Sequence, residues 1–242
     1  MVPAPGFITS CFLAYPEGSQ TMLQKLRQYT RGRRLGRFNE FMKGATGPVR
    51  LIDLGGTVRF WENWGLARRP LLDVTLANSH DVDISHSEDP ITLPNLRRER
   101  VDVLTLSAAD LARYDVIFSN SMIEHLPNPE AQRQLAQAIV ESGRPYFLQT
   151  PNKRSPVDPH FPSPLVPFFA AYPRKVQARL LTWSPLGSPS AATSYDAAIR
   201  RLQNYHPLSV GDIRRLFPRA RVVVERPMGV PMSIIAMSEA RT

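Results

Sequence analysis

Apolar and polar positions change period several times along the chain. Near the N-terminus, SQTMLQKLRQYT and RRLGRFNEFMKG repeat apolar residues at helical spacing: Met22, Leu23 and Leu26, then Leu35, Phe38, Phe41 and Met42. Gly44, Gly47 and Pro48 break that pattern. Shorter apolar runs follow. Val49 to Leu54, LLDVTLAN (71–78), RVDVLTL (100–106), YDVIFSN (114–120) and PYFLQT (145–150) read as five strands. Between the last two, Asn128 caps a helix that Pro129 opens. Its Ala131, Leu135 and Ile139 share one face, and Gly143 follows its end. Strands alternating with helices predict a parallel α/β sheet with right-handed crossovers.

The run from 151 to 204 breaks this rhythm. It opens with seven prolines, from Pro151 to Pro173, and a Ser/Pro-rich connector, SPLGSPSAAT, later separates two helical patterns, RKVQARLLTW and SYDAAIRRLQN. We read it as a small helical cap inserted over the sheet's functional edge, within one domain covering 1–242, with 1–47 as a basic helical extension. The core then resumes. Ser209 and Asp212 stand at capping-box spacing before a short helix ending at Pro218. ARVVVERPMGVPMSIIAM supplies two more strands, and their short connection makes them an antiparallel pair.

Composition narrows the class. The chain has 242 residues and is 43% hydrophobic, enough for a packed core. One cysteine, Cys11, excludes an internal disulfide framework and a multi-cysteine zinc site, and no cluster of metal-ligand spacing appears. Pro3, Pro5 and Pro16 interrupt a mildly apolar start that has no basic n-region, so it does not read as a signal peptide, and the cytoplasm is the default location. The net charge is +9, and residues 21–50 hold eight basic residues against Glu40 alone. Such a segment attracts nucleic acid, an anionic membrane face or a phosphorylated substrate, or is a solvated helix face.

The chemistry centres on VRLIDLGGTVRF, where a strand ends in an acid and two glycines. Ligands of parallel α/β sheets bind beyond the carboxyl ends of the strands. Gly55 and Gly56 let backbone approach a ligand, and the next helix offers N–H groups to an anion. The aspartate, Asp53, suits something cationic or hydroxylated and repels a pyrophosphate. Neither G-x-G-x-x-G nor a P-loop is present. A ligand with an ammonium, a carboxylate and a ribose fits better: S-adenosylmethionine. Asn78, ending the second strand, would meet the ribose. Asp102 would meet the adenine edge, and Ser119, Asn120 and Ser121 would face the sulfonium end.

RLIDLGGTVRFW, YDVIFSNSMIEHLPN, FLQTPNKRSPVDPHFPSP and LSVGDIRRLFPRARVVVERPMGVPMSIIAM together resemble the class I S-adenosylmethionine-dependent methyltransferases, in order and spacing, over roughly residues 45 to 240. The resemblance implies a Rossmann-like, doubly wound sheet of seven strands ending in the antiparallel hairpin. It implies cofactor contacts at Asp53, Gly55, Gly56, Asn78, Asp102, Ser119 and Asn120. Two positions depart from the family pattern. Arg59 stands where glycine is common, and would crowd the cofactor or face its carboxylate. Asn78 replaces the usual acid, and a neutral amide grips the ribose less firmly.

Methyl transfer from a sulfonium is an in-line displacement, so the protein mainly aligns the nucleophile and excludes water. A hydroxyl acceptor benefits from a general base, for which His125 and His160 are the candidates. Asn152, Lys153 and Asp158 are placed to meet the acceptor, and Phe168, Phe169 and Tyr172 suggest an apolar wall. The expected activity is methylation of a small molecule or glycan, on oxygen. A nucleic-acid methyltransferase and a catalytically silent binding protein are the alternatives, and peripheral membrane contact stays open. Against a nucleic-acid acceptor, Ser119-Asn120-Ser121-Met122 lacks the Pro-Pro-aromatic motif of many base-amine methylases.

Overall fold

A computed structural model of the chain describes residues 22–79, 89–158, 166–182 and 192–239. One continuous helix, α1 (Met22–Phe41), replaces the two N-terminal stretches read from the sequence and runs through Gly32 and Gly36. Strand β1 (Val49–Leu54), helix α2 (Val58–Asn63) and strand β2 (Leu72–Asn78) follow. The third strand is displaced from its expected place. Strand β3 is Leu96–Arg100, because Asp102 accepts from Leu104 N and turns residues 103–105 into a short 3-10 helix. LRRER escapes the apolar pattern because β3 is an edge strand, and charged side chains there discourage pairing with another chain.

The remaining elements are α3 (Ala108–Leu111), β4 (Val116–Asn120), α4 (Pro129–Glu141), β5 (Tyr146–Pro151), α5 (Arg174–Thr182), α6 (Tyr195–Gln203), α7 (Val210–Leu216), β6 (Arg221–Glu225) and β7 (Ser233–Met237). The start of α4 is as expected, with the Asn128 side chain accepting from Ala131 N and Pro129 in the first turn. The capping box of Ser209 and Asp212 opens α7. The seven strands form one sheet in the order β3-β2-β1-β4-β5-β7-β6. Only β7 is reversed, pairing antiparallel with β5 and β6. This is the doubly wound sheet with a C-terminal hairpin that the sequence led us to expect.

Period-two alternation gives the sheet two apolar faces. On one, Ile52, Leu54, Ile117 and Leu148 pack against Leu135 and Ile139 of α4 and Ile213 of α7. On the other, Leu51, Val74, Phe118 and Phe147 pack against Phe38 of α1 and Trp61 of α2. Phe118 and Phe147 stack at 5.7 Å, and the Phe38 ring meets both edge-on at 5.3 and 5.5 Å. The end of α1 is therefore part of the core. A third cluster joins α5 to α6 through Phe169, Ala178, Leu181, Ala198, Leu202 and Tyr205. Phe169 is buried in it, while Phe168 and Tyr172 are exposed. Among the described residues no helix is long and apolar enough to cross a membrane.

Candidate functional site

The strands β1 and β4 are neighbours, while the chain proceeds from β1 outward to β2 and β3 before returning. The crevice at their carboxyl ends is thus the switch point where ligands of open α/β sheets bind. Gly55 and Gly56 lie there. Gly55 has φ +77°, a left-handed backbone that favours glycine. The bare sides of both glycines are met by the chain's own atoms. A Cβ on Gly55 would lie 2.4 Å from Met122 Cγ, and one on Gly56 would lie 2.0 Å from Asp53 Oδ2. Internal packing therefore requires both glycines, a reason the sequence did not reveal.

Asp53 points inward beneath this turn and is 1% exposed. Its Oδ2 accepts the indole N–H of Trp61 at 2.7 Å, while Oδ1 is buried with no hydrogen-bond partner. Burial pushes the Asp53 carboxyl up to about 7, against the smaller opposing effect of the Trp61 bond. Asn78 is buried and donates Nδ2 to Gly56 O at 2.9 Å, tying the second strand's end to the turn. Ser119 is sealed and donates to Leu54 O. Thr57 accepts from Phe60 N, so the start of α2 already spends one of its N–H groups. Arg59 pairs with Asp89 at 2.9 Å. Ser121 adopts a left-handed backbone, φ +57°, an uncommon conformation for a non-glycine residue and one that clusters at functional sites.

The structure thus brings Asp53, Gly55, Gly56, Asn78, Ser119 and Asn120 to one strand edge. Asp102 stands just past β3, exposed, with one carboxylate oxygen used to cap the 3-10 turn. His125 ends a 3-10 turn after β4. Its Nε2 lies 4.0 Å from Glu124 Oε1, and its ring lies 6.1 Å from that of Tyr205. His160 falls outside the described residues.

The three residues assigned to the acceptor do different work. Asn152 is buried and bonds Pro231 O and Arg154 N, so it fastens the end of β5. Asp158 is buried and accepts from Tyr205 OH at 2.7 Å. Burial, reinforced by Asp158, pushes the Tyr205 phenol well up, so it stays a proton donor. Lys153, half-buried at the tip of β5, is the one whose side chain bonds no described residue.

Sequence reasoning missed the polar groups that hold these parts together. Glu124 is fully buried and accepts from Thr150 Oγ1 at 2.9 Å. Arg174 fixes the chain after α6 by donating to Leu202 O and Tyr205 O. His206, half-buried beside Arg174, is pushed down by burial first and by that cation second, which favours its neutral form. Arg34 and Glu225, both buried, pair at 2.7 Å. Only Arg34 left a signal: Thr30, Arg34 and Phe38 form an i, i+4, i+8 stripe that the arginine's charge disguised.

No family model matches the chain, and no curated protein matches it in sequence. Solved structures do match. Magnesium protoporphyrin IX methyltransferase from Synechocystis PCC 6803, solved with S-adenosylhomocysteine bound, aligns with a TM-score of 0.50 at 13% identity, over 93% of this chain and 91% of that one. The N-terminal domain of EvdMO1, also with S-adenosylhomocysteine, aligns at 0.51 and 18%, over 87% and 81%. Human N-acetylserotonin methyltransferase in complex with S-adenosylmethionine aligns at 0.50 and 12%, over 90% of this chain and 54% of that one. The chain has the class I methyltransferase fold. In that fold the β1–β4 switch point is the edge at which Asp53, Asn78 and Asn120 converge here. The chain spans little more than half of the human methyltransferase's length.

Proposed function

We propose that this chain binds S-adenosylmethionine over the Gly55–Gly56 turn and transfers its methyl group to a hydroxyl oxygen of a small molecule or glycan. The observation that carries the reading is the buried Asp53 Oδ1, an acceptor without a partner beneath a two-glycine turn at the sheet's switch point. A buried polar atom without a partner is costly, and an ammonium group of a ligand would complete it. The residues present therefore fit the cofactor, and neighbours of the same fold were solved with it or its product.

When bound, the cofactor supplies a methyl group already activated by its sulfonium. The chain's own residues then bind and align. Asp53 faces the ammonium. Asn78, with Nδ2 spent on Gly56 O, has Oδ1 left to accept from a ribose hydroxyl. Asp102 has one carboxylate oxygen left for the adenine edge. Ser119 holds the turn from behind through Leu54 O. Asn120 and Met122 stand beside the turn at the end of β4, and Lys153 stands at the neighbouring strand tip toward the acceptor.

His125 is the base. Glu124 Oε1 lies 4.0 Å from its Nε2, near enough for the carboxylate to steady the positive charge the ring gains on taking the hydroxyl proton. His160 is the second candidate base. Asn152 and Asp158 shape the acceptor side from behind, through Pro231 and Tyr205.

Calorimetric titration with S-adenosylhomocysteine tests the reading. The wild type is expected to bind it, and Asp53→Ala to lose binding. His125→Ala is expected to keep cofactor affinity and lose turnover, followed as S-adenosylhomocysteine release with phenolic and sugar acceptors. No heat from the wild type would leave the silent binding protein as the better account.

A further inference from the structure

Arg34 of α1 is 9% exposed although it carries a full charge. Its guanidinium is a planar fork of donors with no acceptor. Nε and Nη2 donate to Glu225 Oε2 at 3.2 and 2.7 Å, and Nη1 donates to Asn120 Oδ1 at 2.7 Å. Glu225 is 2% exposed and also accepts from Ser233, with Arg37 3.6 Å from its other oxygen, so the cation is neutralised on the side away from Asn120. Ser119 pairs with Leu54 across β1 and β4, which sets Asn120 beside Gly55 of the turn.

Because a guanidinium only donates, Asn120 must turn its carbonyl oxygen to Arg34. Its Nδ2 then faces away from Arg34, and no described residue accepts from it. A cation on Oδ1 draws electron density through the amide and makes the N–H groups stronger donors. A donor of that kind suits an anionic oxygen, because charge-assisted hydrogen bonds are the strong ones.

We propose that Arg34 is a positioning residue of the cofactor site, fixing and polarising the Asn120 amide so that Nδ2 binds the carboxylate of the methyl donor. The proposal rests on the cofactor reading above. It makes the N-terminal helix a part of the binding site. It also separates two ligands: S-adenosylhomocysteine carries the carboxylate, while methylthioadenosine offers the same nucleoside thioether with neither the carboxylate nor the ammonium.

The test is calorimetric titration of the full chain with both ligands, for the wild type, Arg34→Met, Asn120→Ala and the double variant. Each single substitution is expected to weaken S-adenosylhomocysteine about tenfold, the value of one hydrogen bond to a charged group, and to leave methylthioadenosine unchanged. The double variant is expected to bind no more weakly than either single one, because Arg34 acts through Asn120. Arg34→Lys keeps a cation for Glu225 but not the fork that also reaches Asn120. It is expected to show the same carboxylate-selective loss, and it serves if Arg34→Met does not fold. Equal losses for the two ligands, additive losses in the double variant, or unchanged S-adenosylhomocysteine binding would each overturn the assignment. A wild type that binds neither ligand would instead remove the cofactor reading, and this proposal with it.

Discussion

Trp61 donates its indole N–H to Asp53 across 2.7 Å inside the core, one turn of chain away from the glycines that cover the carboxylate. This single bond holds a charge-bearing group where water does not reach, and burial raises its pKa to about 7 from 3.8. Between those two values the folded chain keeps a proton that the unfolded chain has released. Stability from this site is therefore present at acid pH and falls as pH rises from about 4 to about 7, by on the order of 4 kcal/mol at most.

Asp53→Asn removes that titration while keeping an oxygen for Trp61. Its melting temperature relative to the wild type is expected to rise between pH 5 and pH 8, read by scanning calorimetry. A difference that does not change with pH would contradict a buried, protonated Asp53.

Gly56→Ala forces a methyl group to within 2.0 Å of Asp53 Oδ2, a side chain already pinned by Trp61. Overpacking of this kind costs about 1–3 kcal/mol. Gly47→Ala, where a Cβ meets nothing within 4 Å, is the control and is expected to be nearly neutral. Urea midpoints of the two variants decide the point.

Tyr205→Phe withdraws a hydroxyl donor from the buried Asp158, the link between the chain after α6 and the loop after β5. The expected loss is about 1–3 kcal/mol, as for other buried hydrogen bonds with one partner removed. Hydrogen exchange in α5 and α6 is expected to rise more than in α4, because the third apolar cluster depends on this link.

Arg34→Met breaks a buried ion pair and is expected to cost about 3–5 kcal/mol. Arg50→Met breaks a pair with Asp115 in which the arginine side chain is 60% exposed, and is expected to change the urea midpoint far less. Similar shifts for the two would contradict the burial of the Arg34–Glu225 pair.

What the sequence revealed and what it concealed follow from how each element is held. Strands buried over most of their length, such as VRLIDL and YFLQTP, carry enough apolar residues to be legible at once. So were the cap of α4 and the capping box of α7, whose side chains bond only a turn away. The edge strand LRRER was not, since one exposed side left no apolar run to find. The strand-edge residues Asp53, Asn78 and Asn120 were legible as a set because the fold places strand ends together. Their partners were not, because Trp61, Gly56 O and Arg34 reach them through tertiary contacts that no local pattern encodes. Arginines in a basic stretch read as surface, and Arg34 and Arg37 instead serve the buried Glu225.

The most direct measurement is a crystal structure of the chain soaked with S-adenosylhomocysteine. The account predicts density over Gly55 and Gly56, with the ammonium on Asp53, the ribose on Asn78 Oδ1 and the carboxylate on Asn120 Nδ2. Crystals in which Met122 still packs on Gly55, Asp53 Oδ1 stays unpartnered and the ligand is missing or bound elsewhere would contradict it.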